Sequence, residues 1–230
     1  MKTARMKLLV IGIAILTVSS GLVALFFGAV GNKNSPFNPI RVACVGDSIT
    51  EGTEYPADLW MLLGANYTVG NFGVGGSTVS LKSDKPYMNQ TAFQEAKEFL
   101  PSIVIIMLGT NDASAIPYQY IESFADDYKK LVGEFQALAG SPKVWLVKPP
   151  PIFNNGTGLS TPLFAHDVIP RIAQAANEMN LPMIDVYAAL ANHSEYFWDG
   201  VHPNSEGAEL IATEIYKAIT FTNSSANSMP

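Results

Sequence analysis

The chain has 230 residues, of which 48% are hydrophobic and 15% are charged, and its formal net charge is −6 at pH 7. This composition is typical of a globular chain and excludes extensive disorder, and the acidic balance excludes a nucleic-acid-binding protein. The single cysteine, Cys44, cannot form an intramolecular disulfide, and its apolar neighbours indicate a small core residue.

Residues 1–31 have the pattern of a targeting element. Lys2, Arg5 and Lys7 precede an uncharged run over residues 8–30, whose 23 residues would span about 35 Å as a helix, enough to cross a bilayer. Small residues at the end of the run suit a cleaved signal peptide, whereas its length suits an uncleaved membrane anchor. Because basic residues precede the run, both interpretations predict an extracytoplasmic domain.

Residues 32–39 are predicted to be a polar linker punctuated by proline. Five Asn-x-Ser/Thr sequons lie further along the chain, at Asn66, Asn89, Asn155, Asn192 and Asn223. They are usable glycan acceptors only if the protein enters a eukaryotic secretory route or its archaeal counterpart.

Strands and helices are predicted to alternate over residues 40–219. The predicted strands are Arg41–Val45, Tyr67–Phe72, Ile103–Leu108, Val144–Val147 and Met183–Val186. The predicted helices are Trp60–Leu63, Thr91–Phe99, Tyr118–Leu138, Leu163–Met179 with an interruption near Pro170, and Ser205–Ile219. This alternation predicts one α/β domain with a parallel sheet and the loops that follow the strands at one edge. Residues 220–230 have no apolar pattern and are predicted to be a disordered tail.

The first strand ends in Gly46-Asp47-Ser48. Gly46 allows a sharp turn, so Ser48 is expected to lie where the strand gives way to a helix. Unpaired backbone N–H groups at a helix N-terminus favour negative charge, so a serine there is well placed to be a nucleophile. The tripeptide alone favours an ordinary turn, and a nucleophile is indicated only if the chain also supplies a base, a group that orients it and oxyanion donors.

The chain contains candidates for each of these groups. His202 can act as the base, and Asp199, three residues earlier, can orient it. Gly76 can offer an unobstructed backbone N–H and Asn111 an amide, and both follow predicted strands. Taken singly, His202 could mark a helix entry, Asn111 a helix cap and Gly76 a tight turn or anion nest. Their joint occurrence favours a serine hydrolase.

Two further histidines, His166 and His193, have no partner in a recognisable arrangement and are interpreted as surface or packing residues. No cysteine or histidine pair has the spacing of metal ligands, so the sequence gives no support for a metal site.

The chain resembles the SGNH (GDSL) hydrolase superfamily, which is named for its catalytic Ser, Gly, Asn and His. Its four motif blocks are matched by Gly46-Asp47-Ser48, Asn71-Phe72-Gly73-Val74-Gly75-Gly76, Gly109-Thr110-Asn111-Asp112 and Asp199-Gly200-Val201-His202-Pro203. The resemblance covers residues 40–219. It implies a flavodoxin-like, three-layer αβα fold and ester hydrolysis without a cofactor.

Carried over motif by motif, the resemblance implies that Ser48 is the nucleophile and that Asp199 and His202 complete the triad. It likewise implies that Gly76 and Asn111 donate to the oxyanion. No Gly-x-Ser-x-Gly elbow is present, which argues against the α/β-hydrolase fold.

The substrate is predicted to be a small-molecule or glycan ester, with an acetyl group on carbohydrate favoured. The stretch Lys82–Tyr87 is similar to one in extracellular relatives that act on acetylated glycans. The residues expected to line the substrate pocket are Tyr87, Ile152, Phe153 and Trp198. The alternatives are a lysophospholipase or thioesterase, a non-catalytic glycan-binding module, and a flavodoxin-type FMN binder on the same architecture.

Overall fold

The computed structural model describes residues 38–153 and 156–226, with side chains described as far as residue 221. The chain divides before Pro39, and residues from Pro39 onward form one unit. The predicted targeting element at residues 1–31 and nearly all of the predicted linker lie outside the described residues. Within the described residues, no helix has the length and apolar character needed to cross a membrane.

A five-stranded sheet forms the centre of the unit. Its strands are β1 (Ile40–Gly46), β2 (Tyr67–Gly73), β3 (Ile103–Met107), β4 (Lys143–Lys148) and β5 (Met183–Asp185). Their spatial order is β2-β1-β3-β4-β5, and all neighbouring strands are parallel. The uninterrupted apolar runs of β1 and β3 suit this position, since central parallel strands are covered on both faces. The predicted parallel sheet is thus confirmed.

Helices cover both faces of the sheet. The α-helices are α1 (Ser48–Gly52), α2 (Tyr55–Leu63), α3 (Thr91–Glu98), α4 (Ala115–Tyr118), α5 (Phe124–Gln136), α6 (Thr161–Leu163), α7 (Ile169–Glu178), α8 (Val186–Leu190) and α9 (Ser205–Ala226). Short 3₁₀ turns lie at Tyr87–Asn89, Thr110–Ala113, Ile121–Ser123 and Ser194–Tyr196.

Two apolar cores result, one on each side of the sheet. In β3, Val104 and Ile106 pack towards α3, α5 and α7, whereas Ile105 and Met107 pack towards α2 and α9. Successive residues of a strand point to opposite faces, so one apolar strand contributes to both cores. This arrangement confirms the predicted α/β fold with helices on both faces.

Two predicted helices differ in detail. The helix predicted from Tyr118 begins as α5 at Phe124, because the backbone of Tyr120 departs from helical geometry (φ −109°, ψ 16°). The predicted interruption near Pro170 is confirmed, and it takes the form of a π-helical turn over Phe164–Val168. Proline lacks an N–H, so it cannot continue the regular hydrogen-bond pattern.

Two element ends also differ from prediction. Strand β5 ends at Asp185 because this carboxylate accepts a hydrogen bond from the Ala188 N–H (2.9 Å) and caps α8. Helix α9 continues to Ala226, into the segment predicted to be a disordered tail, and no glycine or proline interrupts it there. Residues 227–230 lie outside the described residues.

The strand register brings the predicted site residues together. Gly46 pairs with Gly73 of β2 and with Met107 of β3, so the carboxyl ends of the three strands are level. The loops that carry Ser48, Gly76 and Asn111 follow these ends directly. This edge is the usual ligand site of open α/β sheets.

Candidate active site

The turn between β1 and α1 presents Ser48. Asp47 is buried, and its Oδ1 accepts a hydrogen bond from the Ile49 N–H (3.0 Å), which caps α1. Ser48 is the first residue of the helix, where a backbone N–H has no partner within the helix. A Cβ at Gly46 would lie 1.9 Å from Thr50 Oγ1 and 2.8 Å from the Met107 carbonyl oxygen, so only glycine permits this close turn.

Ser48, His202 and Asp199 form a continuous chain of hydrogen bonds. The Ser48 Oγ lies 2.9 Å from His202 Nε2, and His202 Nδ1 lies 2.8 Å from Asp199 Oδ2. The other carboxylate oxygen, Oδ1, accepts hydrogen bonds from the backbone N–H groups of Val201 (2.9 Å) and His202 (2.8 Å). The carboxylate and the imidazole are therefore fixed relative to each other.

The ionisation of Asp199 suits its position. Partial burial acts to raise its pKa, but the hydrogen bonds from the His202 backbone and ring and from the Val201 N–H act more strongly, and together they lower the pKa to about 2. Asp199 is therefore a carboxylate at neutral pH. A carboxylate beside Nδ1 keeps the proton on that nitrogen and leaves Nε2 free to accept the Ser48 proton.

Two candidate oxyanion donors, a backbone N–H and a side-chain amide, lie on loops that follow β2 and β3. Gly76 has φ +73°, and within the described residues its N–H donates to no acceptor. Asn111 donates one amide hydrogen to the Ser77 carbonyl (3.0 Å), which orients the amide and leaves a second hydrogen for a ligand. A Cβ at Gly75 would lie 3.7 Å from Ser48 Cβ, so this loop passes directly beside the serine.

Two buried carboxylates hold the loop that follows Gly76. Asp112 accepts hydrogen bonds from the N–H groups of Val79 and Ser80 (3.0 Å each), and Asp127 accepts one from Leu81 (3.1 Å). Burial raises the pKa of Asp112 to about 7, although both backbone hydrogen bonds act to lower it. The loop is thus attached to the protein through its backbone.

Asp47 is a further buried carboxyl group near this edge of the sheet. Burial raises its pKa to about 6, while the Ile49 N–H, the nearby Thr110 hydroxyl and His202 act to lower it. Neither Asp47 Oδ2 nor Thr110 Oγ1 makes a hydrogen bond of standard geometry. One carboxylate oxygen is therefore buried without compensation whenever Asp47 is ionised.

We expect Asp47→Asn to remove a pH-dependent loss of stability. The pKa of Asp47 is about 6 in the folded state and 3.8 in the unfolded state. As the pH rises from 3.8 to 6, the unfolded state therefore loses this proton before the folded state does, and the free energy of unfolding falls. Asparagine keeps the oxygen that caps α1 and replaces the unpaired oxygen by an amide. Above pH 6 the variant should gain roughly 2–3 kcal/mol, and below pH 4 it should gain nothing.

Urea denaturation between pH 4 and pH 8 measures this difference. Glu209→Gln, which neutralises an exposed carboxylate on α9, is the control and should show no comparable gain. A gain for Asp47→Asn that is independent of pH would contradict the expectation.

A cavity of about 440 Å³ opens beside Gly76 and Asn111. Hydroxyl groups line part of it, from Thr78, Ser83 and Ser114. Charged side chains, Asp84 and Lys85, and apolar groups, including Ile116 and Leu159, complete much of the wall. Its volume and polarity suit a ligand much larger than an acetyl group that carries hydrogen-bonding groups.

The predicted pocket residues occupy different places. Tyr87 is fully buried in the core and its hydroxyl donates to the Phe72 carbonyl (2.6 Å), so the structure does not place it against a ligand. Ile152 is likewise a core residue. Phe153 packs edge-on against Phe197, with 5.0 Å between ring centroids.

Trp198 differs from these residues because its side chain is 77% exposed. Its backbone N–H donates to the His202 carbonyl (3.0 Å), so the residue lies on the loop that carries Asp199 and His202. Of the predicted substrate-binding aromatic residues, Trp198 is the one whose position leaves it accessible to a ligand at the catalytic loop.

Sequence reasoning missed two charged residues beside Gly75. Glu51 Oε2 accepts a hydrogen bond from the Gly75 N–H (2.8 Å), and Lys85 Nζ donates to the Gly75 carbonyl (2.7 Å). The available signals were an acidic residue in the first turn after Ser48 and a lysine in the stretch Lys82–Tyr87. Among the described residues, no group of three or more histidine, cysteine, aspartate or glutamate side chains could hold a metal ion.

Known proteins resemble this chain over the same region. The model of the GDSL-like lipase/acylhydrolase family matches residues 44–210. A curated acetylxylan esterase from Xylanibacter ruminicola is 35% identical over 206 residues, which cover 78% of this chain and 43% of the relative. A GDSL esterase/lipase from Arabidopsis thaliana is 23% identical over 139 residues, 52% of this chain and 54% of the relative. The chain thus spans about half the length of the curated relatives that it matches.

Solved structures share the fold at low identity. An aryl esterase from M. smegmatis is 21% identical with a TM-score of 0.63, and the match covers 78% of this chain and 98% of that one. A carbohydrate acetylesterase from Sinorhizobium meliloti is also 21% identical with a TM-score of 0.63, and the match covers 80% and 100%. The match of the family model over residues 44–210, more than half of the chain, shows that the chain belongs to the GDSL-like lipase/acylhydrolase family.

Proposed function

We propose that this protein is a serine esterase that removes short acyl groups, above all acetyl, from carbohydrate esters. The observation that carries the proposal is the hydrogen-bonded chain Ser48–His202–Asp199, together with a Gly76 N–H that donates to no acceptor in the described part of the chain. A nucleophile, a base, a group that orients the base and an oxyanion donor are the components that acyl transfer to serine requires.

In the first half of the reaction, Ser48 Oγ attacks the ester carbonyl carbon while His202 Nε2 accepts the hydroxyl proton. The negative charge that develops on the carbonyl oxygen is stabilised by the Gly76 N–H, the free amide hydrogen of Asn111 and the Ser48 N–H. His202 then gives its proton to the departing alcohol oxygen, and an acyl-serine remains.

In the second half, a water molecule takes the place of the alcohol. His202 accepts a proton from the water as its oxygen attacks the acyl carbon, and the same donors stabilise the second tetrahedral oxyanion. Collapse of this intermediate returns the proton to Ser48 Oγ and releases the carboxylic acid. Throughout both halves, Asp199 stabilises the imidazolium and keeps its orientation.

The cavity and the comparisons favour a carbohydrate ester over a long-chain lipid. A hydroxyl-rich cavity with charged residues at its wall offers partners for sugar hydroxyl groups, whereas an acyl chain of eight or more carbons needs a deep apolar channel. Trp198 offers an exposed ring on which a sugar can stack. The similar protein from Xylanibacter ruminicola is an acetylxylan esterase, which is a precedent for a carbohydrate ester as substrate.

The proposed place of action is outside the cytoplasm. The support for this is the uncharged run over residues 8–30, which follows three basic residues. A protease added to intact cells that express the full chain should therefore degrade the catalytic unit without lysis.

We expect the full chain to prefer short acyl groups. Hydrolysis of p-nitrophenyl acetate should exceed that of p-nitrophenyl octanoate by about a hundredfold in kcat/KM, because charged and hydroxyl-bearing residues interrupt the apolar part of the cavity wall and would lie against an eight-carbon chain. A wholly apolar channel that fitted the chain would instead contribute ~0.8 kcal/mol for each buried methylene. Release of acetate from acetylated xylo-oligosaccharides tests the carbohydrate directly. A preference for octanoate, or for lysophospholipid, would favour the lipase-type alternative instead.

A further inference from the structure

Two charged side chains form hydrogen bonds with the backbone of Gly75, one with its N–H and one with its carbonyl. Gly75 lies in the loop after β2, directly before the proposed oxyanion donor Gly76. On one side, Glu51 Oε2 accepts the hydrogen bond from the Gly75 N–H (2.8 Å). On the other, the Lys85 ammonium donates to the Gly75 carbonyl (2.7 Å). Both residues are exposed, and among the described residues neither side chain forms a hydrogen bond or ion pair with Ser48 or His202, so the proposed triad does not explain them.

The bond to the Gly75 carbonyl acts on the peptide that carries the oxyanion donor. The carbonyl of Gly75 and the N–H of Gly76 belong to one planar trans peptide unit, in which they point in opposite directions. Fixing the carbonyl therefore fixes the direction of the N–H. An ammonium on the carbonyl also polarises the amide, which makes its N–H a stronger donor.

This peptide needs such an attachment because both of its residues are glycines. Gly76 has φ +73°, and glycine occupies positive and negative φ about equally, so rotation of the Gly75–Gly76 peptide has little steric resistance. A rotated peptide would point a carbonyl oxygen towards the oxyanion and repel it. A charged hydrogen bond to the carbonyl opposes that rotation.

The backbone of Lys85 is itself held in place. Its carbonyl accepts a hydrogen bond from the Thr78 N–H (3.0 Å), and the Tyr87 N–H donates to the Thr78 carbonyl (2.9 Å). The same segment is attached to the buried Asp112 through Val79 and Ser80. The Lys85 side chain therefore extends from a backbone segment that hydrogen bonds hold in place. The Glu51 side chain extends from α1.

We infer that Lys85 and Glu51 are positioning residues of the oxyanion hole. Lys85 holds the Gly75–Gly76 peptide with its N–H directed at the oxygen of the reacting ester, and Glu51 holds the Val74–Gly75 peptide that precedes it. The inference rests on the proposed roles of Ser48 and Gly76. Neither residue touches the reacting atoms, so their removal should weaken stabilisation of the transition state and leave ground-state binding of a small ester unchanged.

The test compares Lys85→Met, Lys85→Arg and Lys82→Met in the full chain with p-nitrophenyl acetate. Loss of one oxyanion donor typically costs 10²–10³ in kcat, and loss of the group that aligns a donor should cost about tenfold. Lys85→Met should therefore lower kcat about tenfold with KM within about twofold, and Lys85→Arg should restore most of it. Lys82 lies on the same loop with its Nζ over the Tyr120 ring, and Lys82→Met should match the wild type.

A trifluoromethyl ketone supplies a readout that is independent of the amount of folded enzyme. Ser48 Oγ adds to its carbonyl carbon, the hydroxyl proton passes to His202, and the ketone oxygen becomes an oxyanion in the same hole. The inhibition constant of the ketone should rise in Lys85→Met by the same factor by which kcat for p-nitrophenyl acetate falls. Glu51→Leu should behave similarly, and Glu51→Gln should retain activity because the amide oxygen still accepts the Gly75 N–H.

The outcomes separate the inference from the proposed function. A wild type that neither hydrolyses the ester nor binds the ketone contradicts both. An active wild type whose Lys85→Met variant equals Lys82→Met in kcat and in ketone inhibition overturns the inference alone. A rise in KM with unchanged kcat also overturns it, because Lys85 would then be a substrate contact at the cavity wall.

Discussion

Replacing Ser48 by alanine is expected to lower the hydrolysis of p-nitrophenyl acetate by about 10⁴-fold or more. The variant lacks the oxygen that we propose forms the acyl intermediate, while the hydrogen bond from the Ile49 N–H to Asp47 that caps α1 is retained. A fluorophosphonate should label the wild type at Ser48 and should leave the variant unlabelled. Both measurements apply to the full chain.

The control for this prediction is Ser102→Ala. Ser102 is exposed and precedes β3, at the opposite end of the strands from Ser48. Its backbone N–H donates to the Arg41 carbonyl (2.8 Å), and alanine preserves that bond. Wild-type rates in Ser48→Ala, or a phosphonate adduct on another residue, would contradict the assignment of the nucleophile.

Replacing Asp199 by asparagine should lower kcat by about 10³- to 10⁴-fold with little change in stability. The amide oxygen can take the place of Oδ1 and keep both backbone hydrogen bonds, from Val201 and His202. The amide nitrogen then faces Nδ1 and donates to it. The ring proton is driven to Nε2, where it blocks acceptance of the Ser48 proton.

The control uses a second histidine–carboxylate pair in the same chain. His193 Nδ1 lies 2.9 Å from Glu195 Oε1, a separation close to that of the proposed catalytic pair, but it contacts no candidate site residue. Glu195→Gln should therefore leave kcat unchanged. Activity of Asp199→Asn within tenfold of the wild type would show that His202 does not depend on this carboxylate.

The sequence allowed much of this site to be predicted because its residues follow strands. Ser48 and Asn111 come after apolar runs that can form only central strands, and parallel strands with right-handed connections place such ends together. His202 lies three positions after Asp199, so a single turn brings the two residues into contact. These relations depend on local pattern and topology, which a sequence displays.

The pocket residues could not be predicted in the same way. Tyr87 is typical of a substrate-binding aromatic residue, yet its hydroxyl has an acceptor in the Phe72 carbonyl and its ring packs against Phe93. Lys85 contacts Gly75 only because the intervening loop is folded back by hydrogen bonds to Asp112 and Asp127. Contacts of this kind depend on the fold of an irregular loop, for which no periodic pattern exists.

The attachment of that loop to Asp112 and Asp127 has a consequence for how the enzyme can change. Both carboxylates accept hydrogen bonds from main-chain N–H groups of the loop. Every residue except proline provides such a group, so these attachments do not depend on which side chains the loop displays. The exposed positions Lys82 and Asp84 are thus open to exchange, by natural drift or by library selection, whereas the Ser83 hydroxyl donates to the Ser80 carbonyl within the loop (3.0 Å). New preferences among ester substrates can arise there while the proposed catalytic residues stay the same.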